Sequence, residues 1–471
     1  MKTSERLRIL VVACALLLGM TAAAPGRIIY VDDDAAGAND GSSWADAFPW
    51  LRDALGVAVE GDEIQVAQGT YQPDQGADIK RGDHQATFII GDGVVLRGGY
   101  AGVGAPDPDA RNVEVYRTVL SGDLNNDDPN VQDGHALRNA AGHADNSSCV
   151  VRIKQVASCV LDGFLIRGGH SSGGGGGLRI EGSWATVWNC TFTQNWAPRG
   201  GAVHILRGDR ELPTSSEIHH CRFLVNAGDD YGGGVLVEKG ELLLTACEFA
   251  DNTADRGGGL YSSGADVTLS GCTFNGNSAV TGAGVSHGGG NLRVTGCTFV
   301  QNRALPAEGT PWHQNLGGAM LISTSVEKEV LLTDCLFRHN EAFEGGAIEG
   351  SLTAARGCRF TGNVAYYSGG AIDSDDHGPL SCEDCLFDGN RATVHSAALS
   401  NYGVLSLTNC TFTGNRSPDG YVFHAFGGHG APVDITLRNC IVWGQPHGLD
   451  PKQRWLSKAA VAYSDIEGGY P

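Results

Sequence analysis

The chain has 471 residues, with 69 glycines against 3 methionines, and its formal net charge is −20. Glycine is poor in helix interiors and useful at tight corners, so this balance favours β-structure with many turns over a helical protein. The acidic surface excludes nucleic acid and anionic lipid as natural partners.

The first element is an export signal. Lys2, Arg6 and Arg8 precede the apolar run Ile9 to Met20, and Thr21, Ala22 and Ala23 offer a cleavage site before Ala24. Residues 1–23 are therefore expected to be removed, and the remainder to be secreted or held at the cell surface. Val11-Val12-Ala13-Cys14 has the look of a lipobox, but the apolar run continues through Ala15–Met20, where a lipoprotein would turn polar. No later stretch reaches about 18 uninterrupted apolar residues, so no membrane span is expected.

Residues 24–148 read as an N-terminal cap and first coils with loop insertions. Ile28 to Val31 predicts a strand. Trp50, Leu51, Ala54, Leu55 and Ala58 predict one face of a short helix, and Gly61 to Val66 a second strand before a turn at Gly69-Thr70-Tyr71. This start resembles that of pectate-lyase-like β-helix proteins, in which a helix covers the open first coil. Further on, Asp123, Asn125 and Asp127 place oxygen ligands at alternate positions, with Asp133 beyond them. Calcium is the cofactor this pattern implies. Asp128 stands where an EF-hand loop has glycine and no Glu closes the loop, so a solvated acidic loop is the alternative.

Residues 149–471 carry a repeat. Cys-x-Phe-x-x-Asn occurs nine times, beginning at Cys190, Cys221, Cys247, Cys272, Cys297, Cys335, Cys358, Cys385 and Cys410. A decayed copy begins at Cys440. Apolar residues alternate before each Cys, as Leu242 and Leu244 do before Cys247, and the last of them lies three residues before it. A flat strand would then turn the Cys outward; a corner between two strands keeps both sets inside. Eight of the ten residues preceding these cysteines are Gly, Asn or Asp, which tolerate a left-handed backbone. After most Phe-x-x-Asn units comes a polar loop, then two or three glycines with apolar followers, such as Gly257-Gly258-Gly259-Leu260, that start a third strand. The prediction is an all-β chain, a single-stranded right-handed parallel β-helix of three strands per coil with a short N-terminal helical cap. Cys, Phe and Asn should stack in columns at about 4.8 Å per coil. Between about residues 170 and 445 the motifs Gly-Gly-Ala-(Ile/Leu/Val) and Phe-x-x-Asn resemble the repeats of polymorphic outer-membrane proteins, with departures at Gly282-Ala283-Gly284-Val285 and Ser396-Ala397-Ala398-Leu399.

Parallel side chains one coil apart cannot bring two sulfurs to bonding distance, so the repeat cysteines are expected to be free, buried thiols. Cys382 and Cys385 do not make a zinc site, because Cys385 belongs to the column and no second pair exists. Three fragments are similar to polygalacturonase motifs: Asp375-Asp376, Gly428-His429-Gly430 and Arg152-Ile153-Lys154. Arg152 and His429 are about 45 Å apart at this rise per coil, too far to share a sugar ring. Acid–base work by Asp375 and Asp376 near His429 is the part that remains possible on spacing. Lysines suited to a lyase base are scarce in the coils (Lys239 and Lys328). Arg81-Gly82-Asp83 and Arg207-Gly208-Asp209 read as ordinary turns. Trp184, Trp188, Trp196 and Trp312 could stack on sugars or fill the core.

No catalytic residues are assigned. The expected function is an exported, non-catalytic scaffold or adhesin-like protein that binds a polysaccharide or another cell-surface component. The alternative is a polysaccharide lyase or glycoside hydrolase acting on an extracellular polysaccharide.

Overall fold

The computed structural model describes residues 26–208, 215–306, 315–325, 327–374, 378–425, 433–444 and 456–467. The expected signal segment, Asp375-Asp376, Gly428-His429-Gly430, Trp312 and Asp209 lie outside the described residues. Among the described residues the strands form three parallel sheets: a broad one of 25 strands, an aromatic one of 14 and a short one of 8. Each strand pairs with its equivalent one coil along, so the chain winds as a parallel β-helix.

The aromatic sheet carries the repeat. Phe192, Phe223, Phe249, Phe274, Phe299, Phe337, Phe360, Phe387 and Phe412 stand in register on consecutive strands. The Phe274 and Phe299 rings lie 4.8 Å apart and 4° from parallel. The column extends beyond the recognisable motif: Tyr71, Leu120 and Ile166 precede it in register, and Val442 and Ile466 follow it. Gly69-Thr70-Tyr71 is thus a strand and not the expected turn, because Tyr71 fills the Phe position and is buried. The sequence Tyr463-Ser464-Asp465-Ile466, whose pattern predicts one further strand, is instead split by a corner, with strands Leu456–Ala462 and Asp465–Ile466 on either side. Tyr463 is a corner with φ 54°, and Ser464 takes the Cys position, its hydroxyl accepting from the Cys440 amide at 3.0 Å. Cys297 accepts from the Cys272 amide in the same way, at 3.3 Å.

The corners are where the sequence placed them. All ten residues preceding the repeat cysteines are left-handed, with φ from 51° at Asn189 to 63° at Gly357. Beyond each corner, the Asn side chains form a ladder. In the central rungs each Nδ2 donates to the Oδ1 of the next Asn and to the carbonyl of the Phe one coil back.

The segment after the ladder Asn, expected as a polar loop, is instead the short sheet in eight coils, and after Asn415 only an isolated bridge at Arg416 continues it. The sheet runs from Trp196–Arg199, Ala227–Tyr231 and Thr253–Arg256 to two-residue strands ending at Arg391–Ala392. Such short strands have no room for an apolar alternation, so pattern alone does not reveal them. Conversely, the glycine-motif strand and the pre-Cys strand share the broad sheet, and in two coils they are one strand, Val235–Thr245 and Leu260–Ser270. The glycine corner between the short and broad sheets needs glycine for two reasons. Gly257 has φ 64°, and at Gly258 a Cβ would stand 2.4 Å from the Ser278 carbonyl oxygen of the next coil.

One continuous core fills the coils. The helix Leu51–Val57 lies against the first strands with Leu51 and Ala54 buried. Trp50, expected on the same face, is 40% exposed because it precedes the first helical turn. No helix among the described residues is long and apolar enough to cross a membrane. Every described cysteine is a free thiol, and all but Cys149 are buried. Burial pushes the thiol of Cys159, which lies before the repeat column, up to about 12. Denatured protein is therefore expected to titrate with close to one thiol reagent per cysteine, without prior reduction. A count near zero would mean that the column is cross-linked.

Candidate functional site

The insertion between the second and third coils brings together only part of the expected calcium set. Asp123 is buried, and its carboxylate accepts from the backbone amides of Asp127 at 3.1 Å and Asp128 at 3.4 Å. Asp123, Asp127 and Asp128 converge, with candidate ligand atoms within 4.8 Å of one another. Asn125 donates to Asp145 instead, and Asp133 caps the short helix Gly134–Leu137 by accepting from the His135 amide at 3.0 Å. Burial raises the Asp128 carboxyl, while Asn146 and His143 pull it back down. The spacing that singled out Asn125 and Asp133 could not show that each has a local partner of its own.

The same insertion reaches across to the short sheet and overhangs it. Leu137, Trp196 and Ala227 pack into a small apolar cluster that clamps the insertion down. A groove of about 640 Å³ opens beside this clamp, walled by His135 and Arg138 and closed on its far side by Leu305 and Pro306. Three carboxylates from adjacent coils, Asp229, Asp230 and Asp255, line it. Arg138 pairs with Asp229 at 3.2 Å, the Trp196 indole donates to Asp229 at 3.0 Å, and His135 meets the Ser278 hydroxyl at 3.2 Å. Burial raises the Asp255 carboxyl above its ordinary value, and the like charges of Asp230 and Asp229 add to the shift.

That shift has a sign that can be tested. The folded protein holds the Asp255 proton more tightly than the unfolded chain, so stability falls as pH rises from the ordinary carboxylate value of 3.8 through the raised one. Asp255→Asn is expected to raise the melting temperature at pH 7, with the gain shrinking as pH approaches 4. A variant less stable than the parent at pH 7 would show that Asp255 is held there as a needed anion.

A second polar feature runs along the broad sheet. The residue after the glycine-motif strand's first apolar position is polar at both ends of the column, Arg179 and His204 at one and Glu349, Asp373, Ser400 and His424 at the other, with Leu236, Tyr261, Ser286 and Leu321 between. Glu349 and Asp373 sit on adjacent rungs at 2% and 3% exposure, and the Ser368 hydroxyl donates to Asp373. The sequence signal for them was present in Ile348-Glu349 and Ile372-Asp373; following only the apolar members of the motif passes over it.

Arg152 and Lys154 belong to an ion cluster on Glu181, at 2.6 and 3.8 Å. Trp196 is buried, Trp188 stacks on His219 at 4.2 Å, and Trp184 is 46% exposed. Arg81 pairs with Asp74 at 2.9 Å, as befits a structural turn.

A family model described as the right-handed β-helix region matches residues 144–310, and one for the Chlamydia polymorphic membrane protein repeat matches residues 357–375. A search of curated proteins returns no match. Three solved structures are similar at low identity. Pectate lyase Pel9A is 14% identical, with a TM-score of 0.31 over 96% of this chain and 82% of that one. The XylC complex with xylose is 8% identical, with a TM-score of 0.37 over 90% and 87%. The Dettilon tailspike protein is 10% identical, with a TM-score of 0.30 over 92% and 68%. The chain is a right-handed parallel β-helix, and its repeats are similar to those of the polymorphic membrane proteins.

Proposed function

We propose that this protein is an exported β-helical scaffold that holds a neutral glycan on its flank, in the groove where the short helix Gly134–Leu137 overhangs the short sheet. The groove itself carries the reading: its size falls in the range of ligand sites, and it offers carboxylates and hydroxyls beside an apolar floor. Carboxylates accept from sugar hydroxyls and repel uronates and sulfates, which favours an uncharged polymer. Successive coils present equivalent positions at about 4.8 Å intervals, a regular surface for a regular chain.

Retention on insoluble neutral polysaccharides tests this. Asp230→Asn is expected to weaken binding about tenfold, the loss of one charge-assisted hydrogen bond. Unchanged retention would remove the groove from the function.

A further inference from the structure

Near the C-terminal end of the coils, His395, Asp419 and His424 bring one candidate ligand atom each to within 4.8 Å of one another. They come from three separate places: His395 immediately precedes the corner residue Ser396, Asp419 lies in the turn after the last ladder Asn, and His424 sits on the strand Phe423–Ala425. Asp419 is already oriented. One carboxylate oxygen accepts from the Ser417 hydroxyl at 2.6 Å and the Tyr421 amide at 3.2 Å, which leaves the other facing His395 Nδ1 at 3.1 Å. The rings are held as well: Tyr367 meets His395 edge-on at 5.6 Å, and Tyr421 lies 4.8 Å from His424.

We propose that His395, Asp419 and His424 form a binding site for a divalent transition-metal ion of the zinc class. Two imidazoles and one carboxylate suit such an ion better than calcium, which takes oxygen ligands throughout. A carboxylate fixed by a hydroxyl and a backbone amide is the support that metal ligands need. Three protein ligands leave at least one position open for water or for a donor atom of a bound molecule. Of the three ligands, His424 lies in register with Ser400 and Asp373, one and two rungs away on the broad sheet. The site shares no residue with the groove beneath the short helix, and glycan retention and metal binding fail independently.

The test is titration of the chelator-treated full chain with zinc chloride by calorimetry, and with cobalt(II) by visible absorption. One equivalent is expected to bind, with a cobalt spectrum free of thiolate charge-transfer bands. His395→Gln, Asp419→Asn and His424→Gln should each weaken binding by about tenfold or more, and Ser417→Ala by about tenfold through loss of carboxylate orientation. His395 is 41% exposed, so its substitution leaves the fold intact, and an unchanged melting temperature in chelator verifies this for each variant. Absence of saturable binding, a thiolate band, or equal affinity in His395→Gln and the parent would overturn the assignment.

Discussion

Asn277→Ala is expected to destabilise the protein by about 3–5 kcal/mol, among the largest effects of any single polar substitution in this chain. Asn277 is fully buried. Its Nδ2 donates to the Phe249 carbonyl and to Asn302 Oδ1, both at 2.9 Å, and its Oδ1 accepts from the Asn252 amide at 3.1 Å and Asn252 Nδ2 at 3.0 Å. Alanine removes all four bonds and leaves buried donors on Asn252 and a buried acceptor on Phe249, each without water to replace the loss. Because the ladder is continuous, the break also weakens the coupling between the coils on either side. In a structure whose stability is a sum over neighbours, that should broaden or split the unfolding transition as well as shift it. Urea unfolding followed by circular dichroism measures both. Asn291→Ala is the control, since Asn291 hydrogen-bonds Asp266 at the exposed edge and its loss should stay within about 1 kcal/mol. Equal costs for the two variants would mean that the ladder is decoration.

Phe274→Ala should cost a similar amount, about 3–5 kcal/mol, for a different reason. The ring is fully buried between Phe249 at 4.5 Å and Phe299 at 4.8 Å, both nearly parallel to it. Backbone pairing on both sides fixes the rung spacing, so neighbouring coils cannot close over the cavity. Phe274→Leu is expected to cost less than about 1.5 kcal/mol, because the same column accepts Leu120, Ile166 and Val442 in other coils. Thermal and urea midpoints of the two variants decide the matter. Equal costs for the two variants would show that buried volume is not what the ring contributes at this position.

Both predictions concern residues that could be named before any coordinates. Cys, Phe and Asn recur at near-constant spacing because each coil makes the same demands at the same place, and a corner residue able to take positive φ marks where the chain bends. His220 and Ala246, which broke the Gly, Asn or Asp rule, hold φ of 53° and 52° all the same, since the inward-facing Cys that follows leaves no other conformation. The limits of that legibility are equally physical. Tyr71 and Ser464 occupy column positions without resembling their neighbours, so only register identifies them.

The candidate sites were harder to see than the fold. Asp229 and Asp255 come from neighbouring coils, and the Arg138 that meets Asp229 arrives from an insertion some 90 residues upstream, a distance along the chain that no local pattern spans. His395 and His424 are close because one turn of the coil returns the backbone to nearly the same point, about 4.8 Å further along the axis.

Periodicity in the chain by itself therefore determined the coil, its inward columns and its corners, because those are properties of one turn repeated. The tertiary structure alone decided which polar side chains share a surface. That depends on insertion lengths and on how two-residue strands align from rung to rung, and a sequence period records neither.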